Sequence, residues 1–239
     1  MEYILLAIAM LVEANPFIEK LENKQKINLF GYEIYIGQYK KINIIIGISG
    51  VGTINMSGMI HTILLNYNIK LILNYGVAGG YGNNIHKGDI IVITESLNTN
   101  SFRTSKTEKG EGIKVDNIEY LNFEPEEAHI KYYKVDEKII NQIKQIKDRE
   151  INVIYGRIGS GDMWNREYDK IMYNYDKYKL LCEDMEAAAV YQIGDKFKKP
   201  FLSIKGISNN EILNEEYDYS VLDNLVKFVE VALQHLNNL

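Results

Sequence analysis

The chain has 239 residues, of which 46% are hydrophobic and 25% charged, so it can build a packed core and lacks the composition of a disordered protein. Its formal net charge of −5 argues against non-specific nucleic-acid binding, because few cationic side chains are available to neutralise phosphates. No Pro-rich or Gly/Ser-rich tract resembles a linker, which predicts a single domain over residues 1–239.

Cysteine, histidine and the first apolar segment bound the class of protein further. The one cysteine, Cys182, excludes an internal disulfide, fits a reducing compartment and is most simply a small buried hydrophobe. Residues 3–12 lack the basic flank of a signal peptide and are too short to span a bilayer. We therefore expect a cytoplasmic protein that does not associate with membranes. The histidines lack paired ligand spacing, which predicts no metal site and no cofactor.

The first element predicted is a strand at residues 3–10, a continuous apolar run typical of a strand covered on both faces in an α/β sheet. Glu13 follows at its carboxyl end, where ligands bind in open α/β sheets. Glu13 is therefore a candidate for chemistry. The alternative is a surface acid that opens a helix over residues 13–22, with Pro16 tolerated in its first turn.

Next, short strand-like runs at 27–29, 32–39 and 42–48 predict an antiparallel meander. The third run leads into a glycine-rich turn with the sequence SGVG, followed by a helix that extends to Leu65. Such a turn can bring backbone N–H groups close to an anion or a hydroxyl. It lacks the lysine of a P-loop and the third glycine of a dinucleotide fingerprint, so it is weak evidence alone.

The middle of the chain alternates strands with irregular segments. Residues 69–73 predict a buried strand, and residues 74–80 a second small-residue turn that contains Gly79. A strand over 87–93 is followed by a poorly patterned stretch, 97–135, which we interpret as long loops that include a mobile flap. Isoleucine spacing predicts a helix over 135–147, and a further strand is predicted at 152–159.

The last third of the chain contains most of the candidate ligand-binding residues. Trp164 follows the strand at 152–159, where a lone tryptophan is either core or a flat surface for an aromatic ligand. After a helix at 166–178, acids including Glu186 open an apolar helix within 182–190 and would be favoured by its dipole. A strand at 201–204 ends before Asn209, and an amphipathic helix closes the chain.

Taken together, these segments resemble the purine/uridine phosphorylase superfamily, closest to the methylthioadenosine/S-adenosylhomocysteine nucleosidases. The resemblance covers nearly the whole length and rests on a set of short motifs: Ala9-Met10 before Glu13, SGVG at 49–52, NYGVAGG at 74–80, KGD at 87–89, SGD at 160–162, DMEA at 184–187 and ISN at 207–209.

The resemblance implies a three-layer αβα fold with a central mixed, twisted β-sheet, a nucleoside phosphorylase-like domain that is usually a homodimer in the nucleosidases. It implies hydrolysis of the N-glycosidic bond of an adenine nucleoside, a small-molecule substrate of methionine salvage. By position, Glu13 resembles the general base with which the family activates water. The positions that resemble the family's substrate contacts are Gly79 and Ser208, Met185 and Glu186 at the ribose, and Trp164 and Asn165 at the purine.

One departure from the family concerns the leaving base. The family protonates the purine at N7 with an aspartate, and the matching position here is Asn209, whose amide has no titratable proton. Three explanations are open: a 6-oxopurine substrate, for which the related trimeric purine nucleoside phosphorylases use asparagine; a neighbouring acid such as Glu211; or nucleoside binding with little turnover.

The residues available to bind phosphate distinguish hydrolysis from phosphorolysis. Phosphorylases of this superfamily hold phosphate with arginines, one near the start of the second small-residue turn, whereas here that neighbourhood contains Leu73, Asn74 and Tyr75. A buried dianion without cationic partners is costly. Hydrolysis is therefore predicted, with lysine or a backbone anion nest as the route by which phosphate could still be held.

Overall fold

The computed structural model describes residues 1–123, 127–146 and 151–237. The helices of these residues are α1 (Leu11–Ile18), α2 (Thr53–Asn66), α3 (Glu137–Ile143), α4 (Tyr168–Tyr178), α5 (Ala187–Phe197) and α6 (Leu222–Leu236). The strands are β1 (Tyr3–Ile8), β2 (Glu22–Leu29), β3 (Tyr32–Tyr39), β4 (Ile42–Ile48), β5 (Ile69–Gly80), β6 (Ile90–Asn98), β7 (Phe102–Thr104), β8 (Ile118–Tyr120), β9 (Asn122–Phe123), β10 (Ala128–His129), β11 (Tyr132–Lys134), β12 (Val153–Ser160), β13 (Leu180–Asp184) and β14 (Phe201–Asn209).

The described strands build one mixed ten-stranded sheet and two small two-stranded sheets. The large sheet follows the order β11-β6-β12-β13-β5-β1-β4-β3-β2, and β14 pairs with both β5 and β6. β1 is parallel to its neighbours β4 and β5, whereas β13 runs antiparallel to β5. β14 runs parallel to β5, and the carboxyl ends of these two strands lie side by side. The carboxyl end of β13 points the opposite way.

Helices cover both faces of the sheet. On β14, Phe201 packs on Gly194 of α5, and Gly206 lies under Leu225 of α6. These two strand positions are five residues apart and so point to opposite faces, because strand side chains alternate. The predicted three-layer αβα fold with a central mixed sheet is confirmed. The amphipathic face of α6 is buried as predicted, and Cys182 is buried within β13.

One predicted turn is in fact strand, and one predicted strand is longer than expected. β5 continues to Gly80 and β14 to Asn209, so the small-residue segments at 74–80 and 205–209 lie within the sheet and not beyond it. β5 pairs with β14 through these residues, and glycine at several of them allows close packing of neighbouring strands and of Glu13. Local composition suggested loops, but cross-strand pairing extended the strands.

The prediction that the acids within 182–190 open a helix is wrong for Glu183 and Asp184, because they lie on β13 and the helix begins at Ala187. α1 ends at Ile18 and β2 starts at Glu22, so the predicted helix over 13–22 is too long. The described part of the stretch 97–135 contains the end of β6 and five short strands, β7 to β11, in place of continuous loop. Residues 124–126 lie outside the described residues. α3 covers Glu137–Ile143 and is shorter than the predicted helix over 135–147. Lys147, the last residue of that prediction, lies outside the described residues.

The meander β2-β3-β4 is antiparallel as predicted. Among the described residues, we find no helix with the length and apolarity needed to cross a membrane.

Candidate active site

A cavity of about 220 Å³ opens where α1, the ends of β5, β13 and β14, and the loop 161–167 meet. Every site residue predicted from the sequence lines it: Glu13, Gly79, Trp164, Asn165, Met185, Glu186, Ser208 and Asn209. The structure thus brings together residues that are up to 196 positions apart in the chain. Their individual roles stay predictions.

Glu13 lies in the first turn of α1 and is 2% exposed, so it is not the surface acid that the alternative interpretation required. Its carboxylate accepts hydrogen bonds from the backbone N–H of Met10 at 3.2 Å and of Val77 at 3.1 Å. Burial raises its pKa above the usual range, and the charge of Lys205 and these two N–H groups offset only part of the effect. A buried carboxylate with a raised pKa is suited to take a proton near neutral pH.

Gly76 makes room for this carboxylate. A Cβ at position 76 would lie 2.6 Å from Glu13 Oε1, closer than side chains pack. A glycine here therefore allows β5 to run directly beneath the catalytic candidate.

Glu186 immediately precedes α5, but its side chain does not cap that helix. Its Oε1 instead accepts from the backbone N–H of Gly52 at 2.9 Å, across the pocket wall. The first N–H of α5, that of Ala187, is satisfied by Asp184 at 3.0 Å. Because another acid satisfies the helix end, the placement of Glu186 in the cavity is not explained by capping.

Asp184 and Lys205 form a buried ion pair at 2.8 Å beside these acids. Burial alone would lower the pKa of Lys205, but the carboxylates of Asp184, Glu186 and Glu13 outweigh it and raise that pKa. Burial, together with the charge of Asp184, raises the pKa of Glu186 to about 7. One lysine thus balances part of a three-carboxylate cluster at this end of the cavity.

Asn209 ends β14 at the other side of the cavity. Its Oδ1 lies 2.9 Å from the hydroxyl of Ser208, which donates to it, and its Nδ2 lies 3.4 Å from Glu211 Oε1. The amide oxygen is therefore engaged, and Nδ2 is the group that can donate to a ligand. Glu211 is itself paired with Arg166 at 3.0 Å.

Aromatic side chains close the cavity toward solvent. Trp164 is 62% exposed, and its ring centroid lies 5.5 Å from that of Tyr217. Tyr219 packs edge-on against Tyr217 at 4.9 Å. An exposed indole at the rim of a pocket is available to stack on a planar ligand.

The charge of the lining is one-sided. Of the described residues that line the cavity, none is lysine or arginine, whereas five carry carboxylates: Glu13, Glu183, Asp184, Glu186 and Glu211. Such a lining disfavours a bound anion and stabilises positive charge that develops in a ligand.

A family model described as the Phosphorylase superfamily matches residues 3–239. The chain belongs to the Phosphorylase superfamily. Its curated relatives include the 5′-methylthioadenosine/S-adenosylhomocysteine nucleosidase of Bacillus licheniformis, 26% identical and aligned over 97% of this chain and 93% of the relative. The family membership predicted from the motifs is thereby confirmed.

Solved structures share the same fold. The S-adenosylhomocysteine nucleosidase of Streptococcus pyogenes, in complex with 5-methylthiotubericidin, superposes with a TM-score of 0.79 at 22% identity, over 100% of this chain and 97% of that one. A futalosine hydrolase mutant of Helicobacter pylori gives a TM-score of 0.79 at 19% identity, over 100% of both chains. At these identities the likeness concerns the fold, which superfamily members with different substrates share.

The residues that line the cavity but that the sequence motifs did not single out include Tyr81, Glu183, Tyr217 and Tyr219. Glu183 was passed over because its neighbours Asp184 and Glu186 carry the family motif. Recognition of β13 as a strand would not have found it, since alternation places Glu183 on the face opposite Asp184, yet both side chains line the cavity at the strand end. Nothing local distinguishes the tyrosines from the chain's other tyrosines.

Proposed function

We propose that the protein hydrolyses the N-glycosidic bond of purine nucleosides of the methylthioadenosine and S-adenosylhomocysteine type. The observation that carries this proposal is the cavity lined by five carboxylates and no described cationic residue. Cleavage of a nucleoside passes through a ribosyl cation, which carboxylates stabilise. The names of the curated relatives support the same reaction.

Glu13 is the base that activates water in this proposal. Its two oxygens are oriented by the N–H groups of Met10 and Val77, and its raised pKa keeps it basic enough to accept a proton near neutrality. No metal is needed, because the carboxylate takes the proton from water as the C–O bond forms and the C–N bond to the base breaks. The base leaves as an anion that accepts a hydrogen bond from Asn209 and takes its proton from solvent.

Met185 and Glu186 hold the ribose. A carboxylate accepts hydrogen bonds from sugar hydroxyls, and charge assistance makes such bonds strong. Gly52 fixes one oxygen of Glu186 and leaves the other free for the ligand. The same carboxylate lies near enough to Asp184 and Lys205 to be electrostatically coupled to them, so ribose binding and protonation are linked.

The base lies between Trp164 and the end of β14. Trp164 supplies an exposed ring for stacking, and Asn209 Nδ2 donates to N7 of the purine while Ser208 holds the amide in that orientation. Gly79 and the backbone of Asn165 complete this end of the cavity.

Hydrolysis is preferred over phosphorolysis on electrostatic grounds. Lys205 is 1% exposed and its ammonium is already paired with Asp184, so it is not available to neutralise a phosphate dianion. Phosphate would otherwise have to enter among carboxylates, which is costly.

The test is to incubate the protein with methylthioadenosine, S-adenosylhomocysteine, adenosine or inosine, with and without phosphate. Chromatography then measures the free base that is released. We expect phosphate-independent release. Release only in the presence of phosphate would contradict hydrolysis, and no release from any substrate would contradict the enzyme.

A second candidate, a nucleoside-binding protein with little turnover, is favoured by Asn209. An amide cannot protonate the leaving base, and the neighbouring Glu211 is tied to Arg166. In that case titration calorimetry would detect nucleoside binding in the absence of product.

A cytoplasmic location, a role in methionine salvage and a homodimer complete the proposal. The homodimer is supported by exposed apolar side chains next to the cavity-lining segments, at Leu11, Val12, Val51 and Ile54. Analytical ultracentrifugation would measure the oligomeric state directly.

A further inference from the structure

Helix α2 begins without a cap of its own. Gly52 precedes Thr53, the first residue of the helix, and glycine has no side chain that could accept a hydrogen bond from the free N–H groups of a helix start. Gly52 also has a φ of 107°, which residues with a Cβ rarely adopt. The position before α2 therefore requires glycine, and the capping group has to come from elsewhere in the chain.

Asp162 supplies this cap from 109 positions further along the chain. Its Oδ1 accepts from the backbone N–H of Thr53 at 2.6 Å, and its Oδ2 accepts from the hydroxyl of Thr53 at 2.8 Å. A Cβ at position 52 would lie 3.1 Å from Asp162 Oδ1, so the carboxylate packs directly against the start of α2. One carboxylate thus fixes both the backbone and the side chain of the first helical residue.

Asn100, two residues after the end of β6, holds Asp162 in place. Its Nδ2 donates to Asp162 Oδ2 at 3.2 Å, and its Oδ1 accepts from the backbone N–H of Asp162 at 2.8 Å. The same Nδ2 also donates to the hydroxyl of Thr53 at 3.2 Å. The segment after β6, the loop 161–167 and the start of α2 are therefore joined at one point.

The start of α2 also contacts the carboxylate of Glu186. The backbone N–H of Gly52 donates to Glu186 Oε1 at 2.9 Å, and the next N–H along the chain, that of Thr53, is the one that Asp162 holds. Because the two N–H groups belong to adjacent residues, a displacement of Thr53 moves the donor that orients Glu186. The position of Glu186 in the cavity thus depends on a side chain that does not line the cavity.

We propose that Asp162 is a positioning residue, which holds the start of α2 so that the N–H of Gly52 orients Glu186 toward the ribose. This inference rests on the proposed purine nucleosidase function and adds a residue outside the cavity to that same site. Asp162 acts through Thr53 and Gly52 and not on the substrate itself.

The test is a double-mutant cycle of Asp162→Ala and Glu186→Gln, measured as kcat/KM for methylthioadenosine. Without its cap the start of α2 frays and the charged hydrogen bond from Gly52 weakens, so kcat/KM should fall by roughly tenfold in Asp162→Ala. In the Glu186→Gln background the same substitution should cost less than about threefold, because the carboxylate through which it acts is gone.

Two further variants separate positioning from general stability. Asp162→Asn keeps an oxygen that can accept from the N–H of Thr53, so its kcat/KM should stay within about threefold of the parent value. Asp136→Ala is the matched control, since Asp136 caps α3 through the N–H of Lys138 at 2.8 Å and does not line the cavity. Its Tm should fall as in Asp162→Ala, whereas its kcat/KM should equal that of the parent.

Equal losses from Asp162→Ala with and without the Glu186 carboxylate, or parent kinetics in a folded Asp162→Ala, would overturn the proposal. A loss of kcat/KM in Asp136→Ala as large as that in Asp162→Ala would overturn it as well. A parent that releases no base would contradict the nucleosidase function alone, because the same cycle measured by calorimetric binding of methylthioadenosine still reports the orientation of Glu186.

Discussion

The proposed sugar end and the proposed base end of the cavity hold their carboxylates differently. At the sugar end, Glu13 and Glu186 are oriented by backbone N–H groups, and a buried lysine offsets part of their charge. At the base end, Glu183 depends on the side chain of Tyr81 and a single loop N–H, opposite the amide of Asn209.

This difference bears on which end can change specificity. Backbone donors are positioned by strand and helix termini, so the sugar end is set by the fold and matches the family motif. The base end depends on side chains, which substitution alters without disturbing the sheet. We infer that the reaction belongs to the sugar end and the choice of base to the base end.

The largest effect is expected for Glu13→Gln. The amide keeps the size but cannot accept a proton, so kcat should fall by roughly 100- to 10,000-fold. Binding of free base, which belongs to the other end, should be unchanged. Glu19→Gln, an exposed acid just after α1, is the control and should retain parent kinetics. Parent-like turnover in Glu13→Gln would assign the water-activating role elsewhere.

Glu186→Gln should have a smaller effect on both kcat and KM. Its amide oxygen can keep the bond from Gly52 N–H, so the fold survives, but charge assistance to the sugar hydroxyls is lost. We expect kcat/KM to fall by roughly 10- to 100-fold, equivalent to one or two hydrogen bonds to a charged group. Unchanged kinetics in a well-folded variant would leave Glu186 with a structural role only.

Asn209→Asp tests whether position 209 activates the leaving base. A protonated aspartate can donate a proton to N7, so turnover of adenine nucleosides should rise by about tenfold or more and then decline as pH rises through the new pKa. Glu211, 3.4 Å from the present amide nitrogen, would raise that pKa by like-charge repulsion. Activity on inosine should fall. Identical rates and pH dependence in parent and variant would show that position 209 does not activate the leaving base.

The smallest effect concerns stability. Glu13, Glu183 and Glu186 all have raised pKa values, so the folded state binds more protons than the unfolded state from about pH 4.5 to 7. Their contribution to the free energy of unfolding therefore decreases as pH rises through this window. We expect Tm to drop by roughly 10 °C between pH 5 and 8, and Glu183→Gln/Glu186→Gln to flatten the curve. A Tm that increases with pH in the parent would contradict these shifts.

The sequence by itself determined the fold class and eight of the residues that line the cavity. Continuous apolar runs identified β1, β4 and the start of β5, since both faces of these strands are buried. The motifs around Glu13, Glu186 and Asn209 indicated the superfamily, and all eight predicted site residues line one cavity.

Only the tertiary structure decided how far strands extend and which side chains meet. β5 and β14 continue through glycine-rich segments because they pair with each other, and such pairing depends on residues more than 100 positions apart. The buried pair of Lys205 with Asp184 and the pairing of Gly79 with Glu183 and Asn209 are likewise non-local. Local patterns report burial and propensity, whereas the partner that satisfies a buried charge is set by packing.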